Sequence, residues 1–275
     1  MHCSLAHGFA HVARVVLVAG CLLAAGHAVS AQTAAPVPAP IVSDETGLFP
    51  RAALFVSLAG MQTSDPQFSW VERSRGDLDL VGYRHGRVNF LIDTELVMGS
   101  ERRSFDLNQA NIIFELSGSW RAGAVEIAGV AHHVSKHVVD REFDRVPAWD
   151  TVGARATYAV ATPASQASVT LDYGRIVQHT FVDYAWTSQL TARFEGAIAG
   201  RARAFLFGSG GLIGVDGTLP GRDTQKGGRI EGGVRVSPAR GAAEVYAALE
   251  HRVDAYPTSR LPTSWFELGV RLGTP

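Results

Sequence analysis

Along most of this chain, apolar and polar residues alternate with period two, the pattern of strands that separate two environments. In Arg87–Met98, one parity carries Val88, Phe90, Ile92, Leu96 and Met98, and the other carries Arg87, Asn89, Asp93 and Glu95. Ile112, Phe114, Leu116, Gly118 and Trp120 alternate in the same way with Glu115, Ser117, Ser119 and Arg121. Val169, Leu171 and Tyr173 oppose Ser168, Thr170 and Asp172, and Trp186, Leu190 and Phe194 oppose Thr187, Gln189, Thr191, Arg193 and Glu195. The last segment sets Phe266, Leu268, Val270 and Leu272 against Glu267, Gly269 and Arg271. Beyond the N-terminal region, no stretch reaches the roughly 18 to 20 uninterrupted apolar residues of a helical membrane span.

The connections carry topology. Short links at Arg84–Gly86, Arg121–Gly123, Thr162–Gln166, Gly196–Gly200 and Ser237–Gly241 alternate with longer polar ones at Gly99–Asn108, Val134–Ala148, Gly174–Asp183, Ser209–Gly228 and Asp254–Thr263. Short turns at one end and long loops at the other predict an all-β, antiparallel transmembrane β-barrel of about 12 strands with both termini periplasmic. The first strand is expected near Gln67–Val71 and the second near Asp77–Tyr83, which leaves the apolar segment Ala52–Gly60 over. In hydrocarbon an unpaired backbone group costs several kcal/mol, so strands cross only as a closed sheet. The apolar parity then faces lipid. The polar parity lines the interior, where Arg87, Arg155, Arg193, Arg229, Arg235 and Arg271 meet Asp93, Glu95, Glu115, Glu126, Glu195, Glu231 and Glu267. Mixed signs favour a crosslinked interior. The alternative is a soluble barrel with the two parities exchanged.

The N-terminus supplies an address. Arg14, the apolar run Val15–Ala25 and the small residues Ala28-Val29-Ser30-Ala31 read as a secretory signal peptide over residues 1–31. Val18-Ala19-Gly20-Cys21 resembles a lipobox, but its Cys lies inside the apolar run. Residues 32–50, with Pro36, Pro38, Pro40 and Pro50, read as a Pro-rich periplasmic lead-in, and 51–275 as the barrel. Both cysteines, Cys3 and Cys21, fall within the signal, so the mature chain has neither disulfides nor thiolate chemistry. Among the 275 residues, 25 Lys+Arg stand against 26 Asp+Glu, a balance that excludes a nucleic-acid partner held by a basic field.

Candidate chemistry gathers in Ala131-His132-His133-Val134-Ser135-Lys136-His137-Val138-Val139-Asp140-Arg141-Glu142. His133 and Ser135 share the parity of Val125 and Ile127, so both emerge on the outer face at the extracellular rim. A neutral imidazole that takes a hydroxyl proton activates it toward an ester carbonyl, with a carboxylate orienting the ring. Asp140 and Glu142 are the nearest acids for that role, and Lys136 and Arg141 could hold phosphate groups. His132, His133 and His137 could instead ligate a metal with Asp140, but the spacing enforces no coordination geometry, and no metal or cofactor is expected. The Gly-rich stretches Gly208–Gly214 and Gly227–Gly233 lack the ending of a phosphate loop and suggest bulges or close strand approach. Arg73, Arg75, Arg102, Arg103, Arg222 and Lys226, interleaved with acids, read as a solvated loop surface.

His133-x-Ser135-x-His137-x-x-Asp140 resembles the His-x-Ser-Ser-His-x-x-Asp pattern of a family of uncharacterised bacterial outer-membrane proteins, with Lys136 in place of the second Ser and Val139 in place of a frequent Gly. The resemblance extends through Phe105-Asp106-Leu107 and Ile112–Trp120. That family implies a barrel but no activity. A weaker similarity, carried by His133 and Ser135 alone, is to lipid A 3-O-deacylases, which are also outer-membrane barrels. The resulting expectation is an outer-membrane barrel with a structural or binding role. An outer-leaflet lipid or lipid A esterase built on His133, Ser135, His137 and Asp140 or Glu142 is the alternative, and a passive pore the second. The expected partners are outer-membrane lipid or lipopolysaccharide and the barrel-insertion machinery.

Overall fold

The computed structural model describes residues 46–139, 145–238, 241–256 and 259–274. The expected signal peptide and most of the lead-in lie outside them, as do Asp140 and Glu142. Twelve strands form one closed antiparallel barrel: β1 (Gly47–Gln62), β2 (Trp70–Tyr83), β3 (Gly86–Gly99), β4 (Asp106–Ala122), β5 (Val125–Val138), β6 (Ala148–Ala161), β7 (Ser165–Thr180), β8 (Tyr184–Ala199), β9 (Ala202–Val215), β10 (Gln225–Val236), β11 (Ala242–Arg252) and β12 (Thr263–Gly273). Each strand pairs with its sequence neighbour, and β1 closes on β12 from Phe55 opposite Gly273 to Gln62 opposite Phe266. Closure leaves no unpaired edge. The start of β1 and the end of β12 share the end that carries the short links.

The expected count of twelve holds with different strands. The leftover segment Ala52–Gly60 is the heart of β1; of the two strands expected at 67–71 and 77–83, the first lies mostly in the β1–β2 link, and its last residues and the second belong to one continuous β2. The centre of β2 is polar on both faces. Arg73, Arg75 and Asp77 point inward, while outward Ser74 is satisfied by Thr94 across the β2–β3 pairing, Oγ to Oγ1 2.7 Å. In β1 the inward positions Phe55 and Ala59 are apolar, so the alternation fades there too. The long links expected at Gly174–Asp183 and Ser209–Gly228 shrink as well, because β7 runs to Thr180 and β9 to Val215. Within β9, Gly214 lies under the Trp186 indole of β8, where a Cβ would sit 1.9 Å from the ring nitrogen. That close approach fits the expectation for the glycine-rich stretch.

The two parities separate as the alternation requires. Leu54, Val56, Leu58, Leu116, Ile127, Leu171, Leu206, Ile230, Val245, Leu249, Leu268 and Val270 are exposed on the outside. Inside, Arg73, Arg193, Arg229, Arg235, Arg252 and Arg271 are linked with Glu95, Glu195, Glu231, Glu244, Glu250 and Glu267 in one buried network. Arg73 donates to Glu95 and Glu267, each at 2.9 Å, and Arg229 reaches Glu231, Glu250 and Glu267 at 2.8, 2.7 and 2.9 Å. Arg73 is therefore a lumen residue of β2 rather than a loop cation. Arg222 does lie in a link, but it is held by Asp183 and Asp254 at 2.8 Å each.

Toward the long-loop end an apolar layer caps the network. Phe68 of the β1–β2 link stacks on Trp265, centroids 5.4 Å apart, and meets Tyr256 edge-on at 5.0 Å. The β11–β12 link folds into the mouth, with Val253, Asp254 and Ala255 buried. Tyr184 Oη donates to the Asp254 carboxylate at 2.7 Å, Lys136 Nζ to the Asp254 carbonyl at 3.2 Å, and Gln109 to the Ala255 carbonyl at 2.9 Å. This half of the lumen is filled with side chains.

Candidate functional site

The site lies near the long-loop ends of β4 to β7. On β5, Val125, Ile127, Gly129 and Ala131 are exposed and alternate with less accessible inward residues. The same parity carries His133 and Ser135 to the outside, as expected, and His137 with them. The strand itself extends to Val138, so all three are placed by ladder hydrogen bonds and not by loop conformation. Two transverse rows define the surroundings. In one, Phe114 of β4, His133 of β5, Asp150 of β6 and Gln178 of β7 are in register; in the other, Ile112, Ser135, Ala148 and Thr180 are.

His133 Nδ1 lies 2.7 Å from Asp150 Oδ1. Directly opposed residues of an antiparallel pair have their side chains close enough for such a contact. A β-bulge in the β6–β7 pairing falls between Asp150 and Thr151, a feature that re-aims neighbouring side chains. Both members of the pair are partly open, with side-chain exposures of 43% and 40%. Ser135 is buried, and its Oγ lies 3.2 Å from His137 Nε2. One hydroxyl thus stands between two imidazoles on the same face of one strand, two residues from each. With Nδ1 turned to a carboxylate, His133 has Nε2 left for a hydroxyl or a substrate; which nitrogen carries the proton follows from the hydrogen bonds.

Behind this face the wall is packed. Val134, Trp149, Ile176, Tyr184 and Ile213 form an inward apolar cluster, with Trp149 edge-on to Tyr184 at 5.0 Å. The Lys136 amide donates to the Pro147 carbonyl at 2.9 Å, which fixes the end of β5 against the link to β6. Lys136 is buried on the inward face, and its ammonium holds the Asp254 carbonyl. It does not serve as the outward phosphate ligand that its position beside Ser135 suggested.

The expected residues separate into groups. His133, Ser135 and His137 come together on the outside, and His132 points inward opposite Glu115 of β4. The three imidazoles therefore do not converge. Among the described residues, no cluster of three or more His, Cys, Asp or Glu is placed to hold a metal ion. The acid beside His133 is Asp150, which sequence spacing did not single out. Its signal is the cross-strand register, available once β5 and β6 are aligned.

No protein-family model matches the chain, and no curated protein matches it. Among solved structures it is similar to Escherichia coli outer membrane phospholipase A, with 11% identity over 83% of this chain and 98% of that one, TM-score 0.51. It is also similar to the Salmonella typhi outer membrane phospholipase, crystallised as a dimer with bound calcium, with 10% identity over 81% of this chain and 90% of that one, TM-score 0.50. The likeness is one of fold: the closed antiparallel barrel of outer-membrane proteins.

Proposed function

We propose that this protein resides in the outer membrane and hydrolyses acyl esters of outer-leaflet lipids, with Ser135 as nucleophile, His133 as base and Asp150 as the orienting acid. The observation that carries the reading is the His133–Asp150 pair, 2.7 Å apart and one alternation from Ser135 on the outward face. A base held by a third group beside a hydroxyl is the arrangement that activates serine. The apolar outward surface supplies the setting, since exposed aliphatic area of this extent belongs against acyl chains. Phospholipids are the substrate in the names of both similar barrels, and a lipid ester is what an outward-facing hydroxyl would meet.

In the proposed cycle, rotation about the Ser135 Cα–Cβ bond turns Oγ from His137 toward His133. Oγ attacks the ester carbonyl while its proton passes to His133 Nε2, and Asp150 stabilises the imidazolium through Nδ1. Collapse of the tetrahedral intermediate breaks the ester C–O bond, and the imidazolium protonates the leaving lysolipid alcohol. Water then attacks the acyl-serine with His133 again as base, releasing a fatty acid. His137 holds the resting hydroxyl and is a positioning residue.

The reading is tested by incubating the purified protein with vesicles of phospholipid and of lipid A and following acyl release. Wild type is expected to release fatty acid and Ser135→Ala to release none. Equal release by both, or none by either, would remove the proposal.

A further inference from the structure

Two guanidinium groups converge on one rim residue beside this site. Phe181, in the β7–β8 link, directly follows Thr180, which shares the transverse row of Ser135 and Ala148. Arg145, from the β5–β6 link, lies over the Phe181 ring at 5.1 Å. Arg260, from the β11–β12 link, donates through Nη2 to the Phe181 carbonyl at 2.7 Å. Three loops thus meet at Phe181, whose φ of 55° is uncommon for an aromatic residue and persists only where the surroundings fix it.

Among the described residues, these two charges are only partly neutralised. Arg145 is exposed, and among the described residues no carboxylate pairs with it. Arg260 Nη1 has Asp183 Oδ1 no nearer than 4.0 Å, and the other oxygen of that carboxylate accepts from Arg222 at 2.8 Å. Adjacent strands lie about 4.8 Å apart, so the row places Thr180 about 10 Å from Ser135 along the barrel surface. An arginine side chain covers much of that distance. Guanidinium forks match phosphate oxygens in shape and charge.

Resting on the esterase reading, we propose that Arg145 and Arg260 bind the phosphate of a lipid headgroup, making the substrate class a phosphate-bearing acyl lipid. The phosphate sits at the Phe181 rim, and the acyl ester reaches back along the row to Ser135.

The test uses the full-length Ser135→Ala protein in detergent micelles, so that turnover cannot consume the probe. Dihexanoyl phosphatidic acid, dihexanoylglycerol and inorganic phosphate are titrated separately. Phosphatidic acid is expected to bind about tenfold or more tightly than dihexanoylglycerol, and the Arg145→Ala, Arg260→Ala pair to reduce that ratio to within about twofold. If the double variant loses its heat-modifiable gel mobility, Arg145→Ala and Arg260→Lys singly carry the test. Equal affinity for the two lipids, or an unchanged ratio in the variants, overturns the assignment. Inorganic phosphate binding as tightly as phosphatidic acid also overturns it, in favour of a free-phosphate site. No acyl release by wild type, with the phosphate preference intact, removes the hydrolysis reading and leaves the headgroup site standing.

Discussion

His251 Nδ1 lies 2.7 Å from Ser264 Oγ, across the β11–β12 pairing and on the outward parity of Leu249. This contact is shorter than the 3.2 Å between Ser135 and His137. It lacks what the β5 site has, because among the described residues no carboxylate holds the second nitrogen of His251. The barrel therefore carries its own control for the difference between a hydroxyl that touches an imidazole and one beside an oriented base. A fluorophosphonate probe followed by peptide mass analysis is expected to modify Ser135 and to leave Ser264 unmodified. Equal modification of the two would mean that the carboxylate contributes nothing.

Asp150→Asn keeps the shape of the pair and removes the charge that holds the His133 tautomer. If Asp150 orients the base as proposed, kcat falls by about 100-fold to 10,000-fold with KM nearly unchanged. His137→Gln costs less than His133→Gln, since His137 only positions the hydroxyl. Steady-state kinetics on a lipid ester decides the order. A kcat in Asp150→Asn equal to wild type would move the acid elsewhere, with Asp140 and Glu142 next in line.

Glu267 is fully buried and accepts from both Arg73 and Arg229. Glu267→Gln leaves two buried guanidiniums short of counter-charge. Breaking one side of a buried ion pair costs about 3–5 kcal/mol. The variant barrel is expected to unfold at lower urea concentration in a gel-shift or tryptophan-fluorescence titration, with no change at the β5 site. An unaltered midpoint would show that the network is not a stabilising unit.

The same network predicts that the barrel is no open channel. Protein reconstituted into planar bilayers is expected to pass no steady unitary current. Discrete conductance steps would reveal a water path beside the Arg–Glu cluster.

Tyr256 donates to the Asp65 carboxylate and so ties the β11–β12 link to the β1–β2 link. Burial first, and then this bond to Asp65, push its phenol up to about 12 from the ordinary 10. The folded-state value is the raised one, so the contribution of the contact to stability is fully present below about pH 10 and is lost as the pH rises through about 12. Phenolate absorbance should show a late-titrating tyrosine that is missing from Tyr256→Phe. A titration curve unchanged by the substitution would disprove the assignment.

Much of the architecture was legible because a wall one residue thick forces each strand to declare its two sides. Ile112–Trp120 and Phe266–Leu272 did so plainly. The reading failed where both sides carry similar chemistry: at Ser74 and Gly76 in β2, where the outward face is polar or bare, and at Phe55 and Ala59 in β1, where the inward face is greasy. The site was half legible. Parity alone brought His133 and Ser135 to one face, because i and i+2 is a local relation; His137 joins them only because β5 continues to Val138. Asp150 was missed because its nearness to His133 depends on how far β5 runs before the chain turns back, and β5 extends past the residues where a loop was expected. The inward fate of Lys136 was hidden for a related reason, since its partner is a backbone carbonyl more than a hundred residues away.

Ser135 and Lys136 are consecutive residues on opposite sides of one wall, one on the outward parity and the other anchored to the infolded β11–β12 link. On the proposed mechanism, a lipid that reacts at this hydroxyl never enters the barrel; it drifts sideways and meets a fixed post. Its supply is then measured in molecules per unit of bilayer area, so turnover should follow the mole fraction of substrate in the leaflet and ignore the volume of the surrounding buffer.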